Sequence, residues 1–127
     1  MYADSKFYRC AICGNLVYLI DQGKGTLVCC GQPMDKLIAN TTDASMEKHV
    51  PVTRIDGNTV TIKIGSEPHP MLPEHHIEWV FIEGAASGCL YYLKIDGQPE
   101  ISVPLPGDKP VTVYAYCNIH GLFAEDV

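Results

Sequence analysis

Six cysteines and five histidines are the residues of this chain best suited to metal chemistry, and their order separates them into two groups. Cys10, Cys13, Cys29 and Cys30 come early, with no histidine among them. His49, His69, His75, His76 and His120 come later and finish against Cys117 in the tail Cys117-Asn118-Ile119-His120-Gly121. All-sulfur ligation and mixed imidazole and thiolate ligation suit different metals and different chemistry. The partition points to two metal sites with two jobs.

In the first group, Cys10-Ala11-Ile12-Cys13 is a Cys-x-x-Cys turn that places two sulfurs on one side of a tight loop, where a second pair from a facing turn can complete a tetrahedron. In zinc ribbons and related knuckles the second pair is also spaced by two residues, whereas Cys29 and Cys30 are sequential. Adjacent side chains point apart, so both reach one ion only through a distorted tetrahedron. Zinc and iron both fit such a quartet, as a structural staple or as a redox centre. A disulfide framework is the competing reading of six cysteines in a short chain. It is disfavoured because the N-terminus shows no basic and apolar leader pattern, which leads us to expect a reducing cytoplasm, and because adjacent cysteines strain the peptide between them when they bridge.

In the second group, Cys117 and His120 share one loop. His49 precedes Val50-Pro51, His69 lies between Pro68 and Pro70, and His75 follows Pro73 by two residues. Each alone reads most simply as a surface histidine. Together, four imidazoles and one thiolate are too many donors for tetrahedral zinc, but they suit iron and leave an octahedron one position short. A small ligand such as an oxygen species fits that vacancy, and a thiolate opposite it pushes electron density onto the metal.

These residues need a scaffold. The segment from Tyr2 to about Leu37 holds only short apolar stretches, Leu16–Ile20 and Thr26–Val28, and a fold of that size ordinarily needs a metal or disulfide staple. From Leu37 onward the pattern is β. Val52–Ile55 and Thr59–Ile64 flank Asp56-Gly57-Asn58, read as a three-residue hairpin loop. Ile77–Glu83, Cys89–Ile95, Glu100–Leu105 and Val111–Tyr116 follow, separated by Gly, Pro and Asp turns, which predicts a sandwich of about seven short strands. The one helical candidate is Asp43–Glu47, with Asp43 as N-cap. Cys89 reads as a buried free thiol, and Trp79, Phe81, Tyr91, Tyr92 and Tyr114 as core and sheet-surface aromatics.

Bulk properties narrow the partners. At 127 residues, with a net charge of -6 and no Lys/Arg cluster, the chain is unsuited to nucleic acid or to a polybasic membrane contact. It has no apolar run near the roughly 18 residues that a membrane span requires.

The segments Cys10–Cys13 with Cys29-Cys30, Glu47-Lys48-His49-Val50-Pro51-Val52, His69-Pro70-Met71 with Glu74-His75-His76-Ile77-Glu78-Trp79, and Tyr116–Gly121 together resemble desulfoferrodoxin, the two-iron form of superoxide reductase. The resemblance covers nearly the whole chain. It implies a desulforedoxin-like Fe(Cys)4 domain over residues 1–37, with Cys10, Cys13, Cys29 and Cys30 on the first iron. It further implies an immunoglobulin-like seven-stranded β-sandwich over residues 38–127. There His49, His69, His75 and His120 would be equatorial ligands and Cys117 the axial ligand of the second iron.

Glu47 and Lys48 fall on the loop over the open position, Lys48 to steer superoxide and organise protonation, Glu47 to cap the oxidised metal. The family also implies one-electron reduction of superoxide to hydrogen peroxide, a rubredoxin-like electron donor and a homodimer. His76 stands where relatives often carry an aromatic residue, and His75 is preferred as ligand because its spacing from His69 is that of the family. Ala115 replaces a Glu found in some members. A non-catalytic two-iron electron carrier and a structural zinc protein are the alternatives.

Overall fold

The computed structural model describes residues 5–41, 46–105, 107 and 110–127, which divide into two compact units, one ending at Ala39 and the other beginning at Asn40. The expected N-cap Asp43 lies outside the described residues. Among the described residues no helix is long and apolar enough to cross a membrane.

The first unit is built from very short strands. β1 (Phe7–Arg9) pairs antiparallel with β2 (Leu16–Tyr18) on one side and with β5 (Asp35–Lys36) on the other. β3 (Val28–Cys29) and β4 (Gln32–Pro33) form a separate hairpin. The Phe7 ring meets Tyr18 edge-on at 5.0 Å. Strands of two or three residues bury little area, so turns dominate this unit.

The second unit begins with one helical turn, α1 (Met46–His49), followed by seven strands among the described residues: β6 (Pro51–Asp56), β7 (Thr59–Ile64), β8 (Ile77–Gly84), β9 (Gly88–Tyr92), β10 (Glu100–Pro104), β11 (Pro110–Cys117) and β12 (Gly121–Asp126). They form two antiparallel sheets, β10-β7-β6 and β12-β11-β8-β9. This three-on-four sandwich is the expected nearly all-β architecture. The β6–β7 hairpin pairs Asp56 with Thr59, so its loop has two residues, Gly57 and Asn58, and not three. Gly57 takes φ +60°, as the first loop position of a II′ turn requires.

The core follows the period of two. Val60, Ile62 and Ile64 on β7 face Val80 and Ile82 on β8 and Val113, Ala115 and Cys117 on β11, all nearly inaccessible to solvent. Cys117 is therefore the last inward residue of β11, which places its sulfur at one end of the core. A bulge makes this register possible. Tyr116 pairs with Trp79 but Cys117 pairs with Ile77, so Glu78 is an extra residue on β8, and Ile77 joins the core although it lies three residues from Val80.

On the other face of this sheet, Trp79 stacks on Tyr116 at 5.4 Å, and both are buried along with Phe81 and Tyr114. Tyr91 packs against the core, whereas Tyr92 is 77% exposed. Cys89 is free but only half-buried, a correction to the buried thiol expected, because it sits on β9 at the edge of the sheet. The outer edge of β12 is closed by Asn40, whose backbone N–H donates to the Leu122 carbonyl (3.0 Å). Its carboxamide donates to the Ala124 carbonyl (2.9 Å) and accepts from the Ala124 N–H (3.0 Å).

Candidate metal centres

In the first unit the sulfurs of Cys10, Cys13, Cys29 and Cys30 all lie within 4.8 Å of one another. A knuckle supplies the first pair. The Gly14 N–H donates to the Cys10 carbonyl (3.0 Å) and the Cys10 N–H to the Asn15 carbonyl (2.8 Å), while Gly14 adopts φ +84° to reverse the chain. The second pair sits at the β3–β4 hairpin. Cys29 pairs with Gln32, so Cys30 and Gly31 are the two loop residues, and both have positive φ, 53° and 78°. That is the signature of a type I′ turn. The turn removes the difficulty of adjacent ligands. Cys29 ends a strand and Cys30 is left-handed, so the backbone rotates between them and brings the two sulfurs within 4.0 Å.

N–H groups surround the quartet. The Cys13 N–H is 3.5 Å from the Cys10 sulfur, the Asn15 N–H 3.5 Å from that of Cys13, and the Asn15 carboxamide 3.6 Å from that of Cys29. With four thiols this close, their protons are shared unequally. The Cys13 N–H draws Cys10 down to about 6, and proton sharing with Cys13, Cys10 and Cys29 pushes Cys30 up to about 12. One cation would satisfy all four sulfurs.

The second cluster is drawn from separated parts of the second unit. His49 ends α1, His69 and His75 come from the connection between β7 and β8, and Cys117 and His120 bracket the turn between β11 and β12. Ligand atoms of His49, His69, His75 and Cys117 lie within 4.8 Å of one another. His120 joins them, its Nδ1 being 3.1 Å from His49 Nε2 and 3.8 Å from Cys117 Sγ.

The four rings stand in a closed circuit. Their centroids are 4.5 Å apart for His49 and His69, 4.7 Å for His69 and His75, 5.1 Å for His75 and His120 and 4.9 Å for His120 and His49, and 6.3 Å across from His49 to His75. Each neighbouring pair meets nearly edge to face, at 75°, 82°, 76° and 88° in the same order. His76 lies outside the circuit, its Nδ1 donating to the Leu72 carbonyl at 2.9 Å. Lys48 is exposed beside His49, and Glu47 belongs to the same helical turn.

Burial sets the chemistry of this cluster. His49 and His69 are each 3% exposed and Cys117 is fully buried. His49 stacks on the ring of the fully buried Phe123 at 4.5 Å. His69 Nδ1 donates to the Pro70 carbonyl (2.7 Å), which fixes the tautomer and leaves Nε2 as a lone pair. Desolvation lowers His69 to about 4. It also lowers His75, helped by the neighbouring imidazoles of His120 and His76 and by the charge of Lys48. Burial raises Cys117, opposed by the N–H groups of His120 and Ile119, the former 3.4 Å from the sulfur.

The Nε2 atoms of His69 and His75 are buried with no hydrogen-bond partner among the described residues. Buried polar atoms are ordinarily satisfied, and two unpartnered imidazole nitrogens beside a buried thiol are groups for which a cation supplies a partner. The donor set therefore fits a metal.

Two compact units, one with a thiol quartet and one with imidazoles around a buried thiol, define a two-centre metalloprotein. The desulfoferrodoxin N-terminal domain family matches residues 3–37 and the desulfoferrodoxin family residues 41–126. The chain is 47% identical to a desulfoferrodoxin homolog of Archaeoglobus fulgidus over 91% of this chain and 92% of the other. It is 42% identical to one from Methanothermobacter thermautotrophicus over 97% and 99%. Among solved structures it is similar to the superoxide reductase of Treponema pallidum, with a TM-score of 0.78 and 32% identity over 96% of this chain and 98% of that one. The chain belongs to the desulfoferrodoxin family. The four-cysteine site and the site of His49, His69, His75 and Cys117 fit the two-iron arrangement of that family.

Proposed function

We propose that this chain is a superoxide reductase, taking superoxide with one electron and two protons to hydrogen peroxide without forming dioxygen. The observation that carries the reading is the circuit of four imidazoles beside the buried Cys117 sulfur in a member of the desulfoferrodoxin family. Iron held by His49, His69, His75, His120 and Cys117 would supply the electron and an open position for the substrate.

The chain's own residues do the rest. The Pro70 carbonyl and the Phe123 ring hold His69 and His49 in orientation. The N–H of His120 stabilises the Cys117 thiolate that buried surroundings disfavour. An overall charge of -6 repels an anion at long range, and Lys48 reverses that locally. Its ammonium also orders the water that delivers protons. Glu47 would be the carboxylate that caps the metal once it is oxidised.

Residues 1–37 would act as the Fe(Cys)4 domain and residues 38–127 as the reductase domain, with electrons returned by a rubredoxin-like donor in a cytoplasmic homodimer.

Pulse radiolysis of the iron-loaded protein tests the reading. Superoxide should be consumed with peroxide as product, and Lys48→Ile should slow capture by about tenfold and flatten its dependence on salt. Equal rates at all salt concentrations in both proteins would remove Lys48 from the mechanism, and dioxygen as a product would reject the reductase. An iron spectrum unmoved by azide would favour a non-catalytic two-iron electron carrier.

A further inference from the structure

We propose that Asn118, which donates no atom to either centre, is a positioning residue that fastens the loop carrying His75 to the loop carrying Cys117 and His120. The proposal rests on the metal-binding part of the reading above and not on superoxide chemistry.

Among the described residues Asn118 makes three hydrogen bonds, and all go to the residues on either side of His75. Its backbone N–H donates to the His76 carbonyl (3.1 Å), its Oδ1 accepts from the His76 N–H (2.8 Å), and its Nδ2 donates to the Glu74 carbonyl (3.1 Å). A backbone N–H can only donate and a carbonyl can only accept, so the amide has one orientation here. Aspartate cannot donate to Glu74, and alanine makes neither side-chain bond.

The loop on the receiving side is already closed on itself. The Leu72 N–H donates to the His75 carbonyl (2.9 Å), the His75 N–H to the Leu72 carbonyl (3.1 Å), and His76 Nδ1 to that same carbonyl (2.9 Å). Residues 72–76 therefore move as one piece, and Asn118 fixes that piece to the next loop. His75 sits between the two anchored residues while its own Nε2 stays unpartnered among the described residues. On the other side, Asn118 directly follows Cys117 and precedes His120 by two residues. One carboxamide thus sets the distance between an imidazole donor and both donors of the following turn.

The experiment uses the full chain stripped of metal and titrated with cobalt(II) against a competing chelator. The thiol quartet serves as an internal reference, and the sulfur-to-cobalt absorption of the second centre as the spectroscopic signature. Removing outer partners of ligands ordinarily weakens a metal site by about 10- to 100-fold. Asn118→Ala should lose affinity in that range at the second centre only and shift its absorption band. Asn118→Asp, which keeps the acceptor for the His76 N–H, should fall between. Wild-type affinity and an unshifted band in Asn118→Ala would overturn the proposal. If that variant fails to fold, wild-type values in Asn118→Asp would overturn it equally. Absence of superoxide reduction by the iron-loaded wild type, with this pattern intact, would reject the proposed activity and leave Asn118 in its role.

Discussion

The two ligand clusters are assembled in opposite ways. The quartet comes from two turns no more than 20 residues apart, in a unit of two- and three-residue strands, with Cys13 and Cys30 open to solvent. The second cluster spans His49 to His120, and three of its donors, His49, His69 and Cys117, are buried at the end of a sandwich core. In the first unit the metal must supply what the apolar area cannot. In the second the fold exists for its own reasons and holds the donors in place, with two buried imidazole nitrogens unpartnered among the described residues. One cluster is a staple and the other a preorganised site.

This contrast can be broken most sharply by removing the metal. Structural four-thiolate sites contribute on the order of 10 kcal/mol to folding. Chelation should therefore abolish amide protection across residues 5–39 while the β8 and β11 amides keep theirs, as read by hydrogen exchange. Protection persisting in the first unit would show that its strands fold alone.

The second effect is on pH, and it belongs to the second cluster. His69 is lowered to about 4 in the folded chain from the ordinary 6.5, so below 6.5 the unfolded chain binds the extra proton. Stability is fully present above pH 6.5 and is lost as pH falls toward 4, by up to about 3 kcal/mol at about 1.4 kcal/mol per pKa unit. Thermal melts of the metal-free protein should decline over that window. In His69→Gln the decline should be shallower.

The smallest effect sharpens the account of the hairpin. A Cβ at Gly31 would meet nothing within 4 Å, so Gly31→Ala tests the backbone alone at φ +78°. It should cost about 1–2 kcal/mol, seen as weaker metal retention by the quartet without change at the second centre.

The expected strands from Val52 to Tyr116 were legible because polar turns separate them and the core residues alternate on β7 and β11. Three features were hidden. β12 lies beyond the expected strands, since Leu122, Phe123 and Ala124 are all buried and no alternation marks them. The Glu78 bulge breaks the period on β8, which is why Ile77 and Val80 share a face without the expected spacing. The type I′ turn at Cys30-Gly31 depends on a left-handed cysteine, a conformation that residue type does not announce. The residues that cluster in space were legible from residue type and order, with His75 set above His76 by the spacing of the family. The Asn118 bonds were not, because an asparagine in a turn has many uses and only the register of two distant loops selects this one.

The span of each cluster along the chain also orders events in time. Synthesis runs from the N-terminus, so all four thiols exist once Cys30 has been made, whereas the imidazole circuit stays open until His120 follows. A nascent chain can therefore draw its first ion from the cellular pool while the second site holds at most three of its five donors, with Cys117 and His120 its last parts to arrive. Scarcity of metal during growth would then fall unequally on the two centres.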